Sequence, residues 1–156
     1  MRHLARIVLA CALLAGATQA HAVCVGSIVV TTTPVQFMNY DPVSFTPKTA
    51  TGNINVKCSV VSLLQSYTVS LSAGPGNGYG NRQLVNGSHR LDYNLYTSNT
   101  YQYIWGDGTG GTQRVRFDAF LQLLSSVDHT VYGLIPARQD RPAGAYAATI
   151  SVTVDF

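Results

Sequence analysis

From Tyr146 to Phe156 the chain alternates without a break. Tyr146, Ala148, Ile150, Val152, Val154 and Phe156 fall on one face, and Ala147, Thr149, Ser151, Thr153 and Asp155 on the other. A period of two with one apolar face is the signature of a half-buried antiparallel strand, and here it runs to the last residue. The same period recurs upstream. Leu91, Tyr93 and Leu95 alternate with Asp92 and Asn94. Tyr67, Val69 and Leu71 alternate with Thr68, Ser70 and Ser72. Ile54, Val56, Cys58 and Val60 alternate with Asn55, Lys57 and Ser59. Residues 23–33 are rich in Val, Ile and Thr, which favours a strand, and residues 130–135 are a further candidate. Only residues 115–124 also fit helical spacing, through Phe117, Leu121 and Leu124, so helix and strand both stay open there.

Composition agrees with a sheet protein. The sequence contains no glutamate, and charged residues are 11% of the chain, against a usual value near 25%. Solvent-exposed helices are normally built from Glu, Lys and Arg. Hydrophobic residues at 46% also argue against disorder. Turn residues punctuate the strands: Asp41-Pro42, Thr46-Pro47, the glycine loop 74–80, Asn86-Gly87, the second glycine loop 106–111, Pro136 and Pro142-Ala143-Gly144. About seven strands with regular turns predict one all-β domain, an immunoglobulin-like antiparallel β-sandwich.

The first 22 residues stand apart from that domain. Arg2 and Arg6 precede an apolar run from Ile7 to Ala17, and Ala20-His21-Ala22 is a small-residue cleavage pattern. This predicts a secretory signal peptide over 1–22 and a working domain over 23–156. The apolar run is too short for a stable membrane span, so no integral membrane segment is expected after cleavage. Loss of Arg2 and Arg6 lowers the formal charge from +3 to +1, too small an excess for a nucleic-acid binder. Cys11 leaves with the signal. In an exported chain the remaining pair, Cys24 and Cys58, is most simply a disulfide, with two free thiols as the alternative. A bridge would close a loop of about 35 residues and stabilise by roughly 3–4 kcal/mol.

Catalytic constellations are thin. The glycine loops lack the helix that a phosphate-binding fingerprint requires, and Asp107 alone cannot supply a calcium site. No G-x-S-x-G occurs. Asp128 and His129 are adjacent, so on a strand they would point to opposite faces. Asp92, Asp107 and Asp118 each fit a turn or a polar strand face. No cofactor, metal or catalytic residue is expected. Tyr96, Tyr101, Tyr103 and Trp105 cluster before the second glycine loop. They either cap the core or, for Tyr101, Tyr103 and Trp105, present a stacking surface. The last strand also poses a question. An immunoglobulin-like sandwich continues into one more strand beside it. Without that strand, an edge carrying Tyr146, Ile150, Val152, Val154 and Phe156 stays open to strand addition by another chain.

These residues resemble the spore coat protein U domain family, which includes subunits of the archaic chaperone–usher pili. The matching pieces run along nearly the whole working chain. They are Cys24-Val25; Thr33-Pro34-Val35-Gln36-Phe37; Tyr40-Asp41-Pro42; Val56-Lys57-Cys58; residues 69–74; residues 91–96; Trp105-Gly106-Asp107-Gly108; residues 131–136 with Gln139; and residues 143–146 leading into 152–156. The resemblance implies an incomplete sandwich with a Cys24–Cys58 bridge. It implies capture by a periplasmic chaperone, assembly at an outer-membrane usher with other pilin-like subunits, and donor-strand complementation at the cell surface. The expected function is that of a secreted structural coat or pilus subunit, not an enzyme. The alternative is an adhesin-like binding module using loops 74–80 and 101–111. Two departures stand out. Met38 occupies a position where the family usually has glycine, and only Val23 precedes Cys24 where a donor segment would lie.

Overall fold

The computed structural model describes residues 27–58, 64–120 and 126–156. Among these residues eight strands follow one another: β1 (Ile28–Thr33), β2 (Lys48–Cys58), β3 (Leu64–Leu71), β4 (Arg82–Asn86), β5 (His89–Tyr96), β6 (Val115–Phe120), β7 (Ser126–Ile135) and β8 (Val152–Asp155). They form two antiparallel sheets. One has the order β1-β2-β7-β5-β4 and the other β6-β3-β8. The all-β expectation holds. Residues 115–120 are strand rather than helix, paired with β3, while 121–125 lie outside the described residues. The expected strand over 23–33 is described from Ile28, and the signal peptide and Cys24 also fall outside.

Alternation accounts for the core. Ile54, Val56 and Cys58 of β2, Val131 and Ile135 of β7, and Leu91, Tyr93 and Leu95 of β5 are all buried. They face Tyr67, Val69 and Leu71 of β3, which are likewise buried. Their polar alternates form the outer surface. There Asp128 accepts hydrogen bonds from the side-chain amides of Asn53, at 2.6 Å, and Asn55, at 2.8 Å.

After β1 the chain crosses over the inner face of the first sheet. Two glycines make that possible. A Cβ at Gly133 would lie 2.6 Å from both Phe37 and Val35, and one at Gly52 would lie 2.6 Å from the Thr33 carbonyl. No side chain fits there, so residues 34–38 settle onto the sheet and enter the second layer.

The C-terminal segment is not the continuous ladder that its alternation predicts. Tyr146, Ala148, Ile150, Val152 and Val154 are half-buried and their alternates exposed, so the two faces are as expected. The pairing, however, is split. Ala147 exchanges two backbone hydrogen bonds with Val85 on the β4 edge, whereas Ser151 and β8 bond Ser72 and β3. The segment changes sheets between these points, and a single ladder cannot follow it. Strand β4 was legible only as the flank of the Asn86-Gly87 turn.

Candidate assembly cleft

The two layers are unequal, and the inequality leaves a gap. In the β1–β2 register Ile28, Val30 and Thr32 stand opposite Cys58, Val56 and Ile54, and directly paired residues share a face. The β2 residues are almost fully buried, yet Ile28 is 38% and Val30 39% exposed. Nothing among the described residues covers the inward face of β1. Across from it, β8 is a sheet edge paired only with β3 among the described residues. Between the 34–42 segment and the 141–148 segment lies a cleft of about 660 Å³, with Leu84, Leu91 and Ile135 among its lining residues. Its walls are the continuations of β1 and β8. Among the described residues, the second layer therefore has an unfilled strand position, walled by Val35, Phe37 and Met38 on one side and by Tyr146 and Ala148 on the other.

Of the edge residues named from the sequence, Tyr146 lines the cleft. Ile150 lies against Gly74. Val152 and Val154 pair with Leu71 and Val69. Phe156 is 45% exposed, with its ring 5.5 Å from that of Tyr67. Cys58 is buried at the end of β2, and its expected partner lies outside the described residues.

The aromatic candidates separate. Trp105 is 1% exposed and donates its indole N–H to the Val69 carbonyl at 3.0 Å. It is a core residue, so it cannot belong to an exposed stacking surface, and the three-residue grouping with Tyr101 and Tyr103 is corrected on that point. Tyr101 packs edge-on against Tyr96 at 5.5 Å, and Tyr103 is half-exposed. The carboxylates stay apart in function: Asp92 accepts from Gln83, Asp107 from Thr109, and Asp118 from Arg116. No group of three metal-ligating side chains occurs among the described residues.

Two buried polar groups tie the layers together. His129 points inward, opposite to Asp128 as expected, and its Nε2 lies 2.8 Å from the Tyr67 hydroxyl on the facing sheet. Rings of Tyr67, Trp105 and Phe117 surround it edge-on. Burial lowers the His129 pKa, partly offset by neighbouring Asp128, and burial pushes the Tyr67 hydroxyl up to about 12. Because the folded state disfavours imidazolium, the unfolded chain binds the extra proton more readily. Stability is thus fully present above the ordinary imidazole range, near pH 6.5, and falls as pH drops below it. Urea unfolding at about pH 7.5 and pH 5 should show this loss, and His129→Gln should flatten it.

Arg82 was missed in the sequence, although alternation puts it on the same face as Leu84. It is fully buried. Its guanidinium donates to Asn94 Oδ1 at 2.9 Å, the Ser72 carbonyl at 2.8 Å and the Trp105 carbonyl at 2.7 Å. Tyr79 lies over it at 5.2 Å.

The architecture is that of an antiparallel β-sandwich with, among the described residues, an open position in one layer. The chain belongs to the Spore Coat Protein U domain family, whose profile matches residues 10–153. "Protein U" of Myxococcus xanthus is 30% identical over 135 residues, covering 78% of this chain and 71% of that protein. Among solved structures, a chain of the CsuC–CsuE chaperone–tip adhesion subunit pre-assembly complex of Acinetobacter baumannii matches with a TM-score of 0.52 at 23% identity. The match covers 83% of this chain and spans 40% of that one. At such identity the likeness is one of fold. The E. coli Hda pilus minor tip subunit, HdaB, gives a TM-score of 0.42 at 18% identity, covering 81% of this chain and 79% of that one.

Proposed function

We propose that this protein is an exported, non-enzymatic structural subunit of a surface coat or pilus, completed by a β-strand donated from another chain. The observation that carries this reading is the unfilled strand position. A cleft lies between the segment that continues β1 and the segment that leads into β8, and the inward face of β1 is left uncovered among the described residues. A donated strand would pair with the free edge of β8 and run on into the cleft, burying alternate side chains against Leu84, Leu91 and Ile135. Main-chain pairing would give affinity, and the pockets would give register. In this reading residues 1–22 direct export and are removed, and a Cys24–Cys58 bridge fixes β1 to β2. A periplasmic chaperone protects the open edge during transit, in keeping with the Acinetobacter complex, where a chaperone is bound to a tip adhesion subunit before assembly. An outer-membrane usher then exchanges the chaperone for a neighbouring subunit.

Thermal unfolding of the oxidised 23–156 chain, with and without alternating-hydrophobic peptides from pilin N-termini, tests the reading. A peptide at about 100 times its Kd should add roughly 2.7 kcal/mol, raising Tm by about 10 °C. A high Tm unmoved by every peptide would show a self-sufficient sandwich and end the proposal.

A further inference from the structure

The three most exposed large apolar side chains among the described residues sit on one short loop between β1 and β2: Met38 at 80%, Phe45 at 78% and Val43 at 75%. This loop is held in place. The Tyr40 hydroxyl donates to the Pro136 carbonyl at 2.9 Å and accepts from the Gln139 amide at 2.8 Å. Asp41 closes the turn through the Val43 and Ser44 amides. Solvent exposure of anchored apolar groups is not a by-product of packing, because nothing beneath them requires their size. Met38 makes the point sharply. Its φ of 54° is left-handed, a conformation that glycine adopts freely and methionine does not. The chain carries that strain while leaving the side chain in water.

The surroundings are basic. Arg138, itself at φ 59°, lays its guanidinium 4.5 Å over the Phe45 ring. This end of the sandwich carries Lys48, Arg90, Arg138 and Arg141 against Asp41, Asp92 and Asp140, a surplus of one positive charge. Three apolar groups on a projecting loop with a basic rim match a surface that yields to a convex tip and carries phosphates. A bilayer interface does both. A protein partner would need a preformed concavity.

We propose that the 38–45 loop docks the protein onto a phospholipid bilayer, with Met38, Val43 and Phe45 entering the interfacial region and Arg138 and Arg141 meeting headgroup phosphates. This goes beyond subunit assembly: Met38 and Arg141 also line the cleft, but Val43 and Phe45 do not, so substitutions at those two positions leave the cleft walls intact.

Vesicle flotation with the protein as purified after export tests this. Vesicles of phosphatidylcholine with phosphatidylglycerol should carry the protein upward, and more of it than phosphatidylcholine alone. The double variant Val43→Ser, Phe45→Ser should lower vesicle partitioning by roughly 10–100-fold with an unchanged Tm. Arg138→Asn, which tolerates the left-handed backbone, should weaken binding to the anionic vesicles selectively. Failure to float with either vesicle, or flotation unaffected by the double variant, would overturn the proposal. Retention on an apolar resin without vesicle binding would also overturn it and point to a rigid apolar partner.

Discussion

Replacing Arg82 with methionine should destabilise the protein by about 3–5 kcal/mol, a large share of the stability of an ordinary domain. The guanidinium is the donor for three acceptors, Asn94 Oδ1 on β5, the Ser72 carbonyl just after β3 and the Trp105 carbonyl. Methionine matches the stem and none of the hydrogen bonds. The Ser72 and Trp105 carbonyls then each bear a desolvation cost of roughly 1–3 kcal/mol, whereas Asn94 Oδ1 keeps the Leu95 amide at 2.9 Å. Part of this is recovered because the variant no longer buries a charge. That charge is costly here. Its three acceptors are all neutral, Nε has no partner among the described residues, and burial lowers the Arg82 pKa. Arg82→Lys should fall between the wild type and the methionine variant, since one ammonium cannot reproduce the planar fork. Chemical unfolding of the three proteins under one donor condition checks the order. Equal stability of Arg82→Met and wild type would mean that the three acceptors find water instead.

Much of this fold was legible because sheet faces write themselves into a sequence with period two. The inward rows of β2, β3 and β5 were readable from alternation alone. So was the placement of Asp128 and His129 on opposite faces, though not which of the two turns inward. What alternation could not give is pairing. Tyr146 to Phe156 reads as one strand because its two faces never slip, yet Ala147 bonds β4 and Val152 bonds β3. Which edge a strand joins is decided by the partner's position, and no local pattern records that. Arg82 was lost for a related reason. An arginine beside a glycine loop reads as a solvent-facing turn residue unless its acceptors are known, and they come from Ser72, Asn94 and Trp105. The apolar loop at Met38, Val43 and Phe45 was hidden because exposure is a property of what fails to cover a residue. The apolar face of the last segment, by contrast, was readable at Tyr146, Ile150, Val152, Val154 and Phe156. The structure adds the other wall of the cleft, Val35 and Phe37, and the glycines that let it form.

Trp105→Ala should cost about 3–5 kcal/mol, whereas Tyr103→Ala should cost less than about 1 kcal/mol. Both rings precede the same glycine loop and read alike in sequence, but they sit in opposite environments. Trp105 fills the space between the layers, touches His129 edge-on at 6.5 Å and donates its N–H to the Val69 carbonyl. Its backbone also bonds Leu95, and its carbonyl receives Arg82. Truncation would open a cavity beside two buried polar groups, His129 and Arg82, and remove the indole donor of the Val69 carbonyl. Tyr103 is 50% exposed, and removing its ring uncovers little. The pair therefore separates two roles. If the loop's aromatics formed a ligand surface, both substitutions would impair binding and neither would move Tm far. The geometry calls for a steep loss of Tm with Trp105→Ala and near-wild-type melting with Tyr103→Ala, read by near-ultraviolet circular dichroism and thermal unfolding of the two variants side by side.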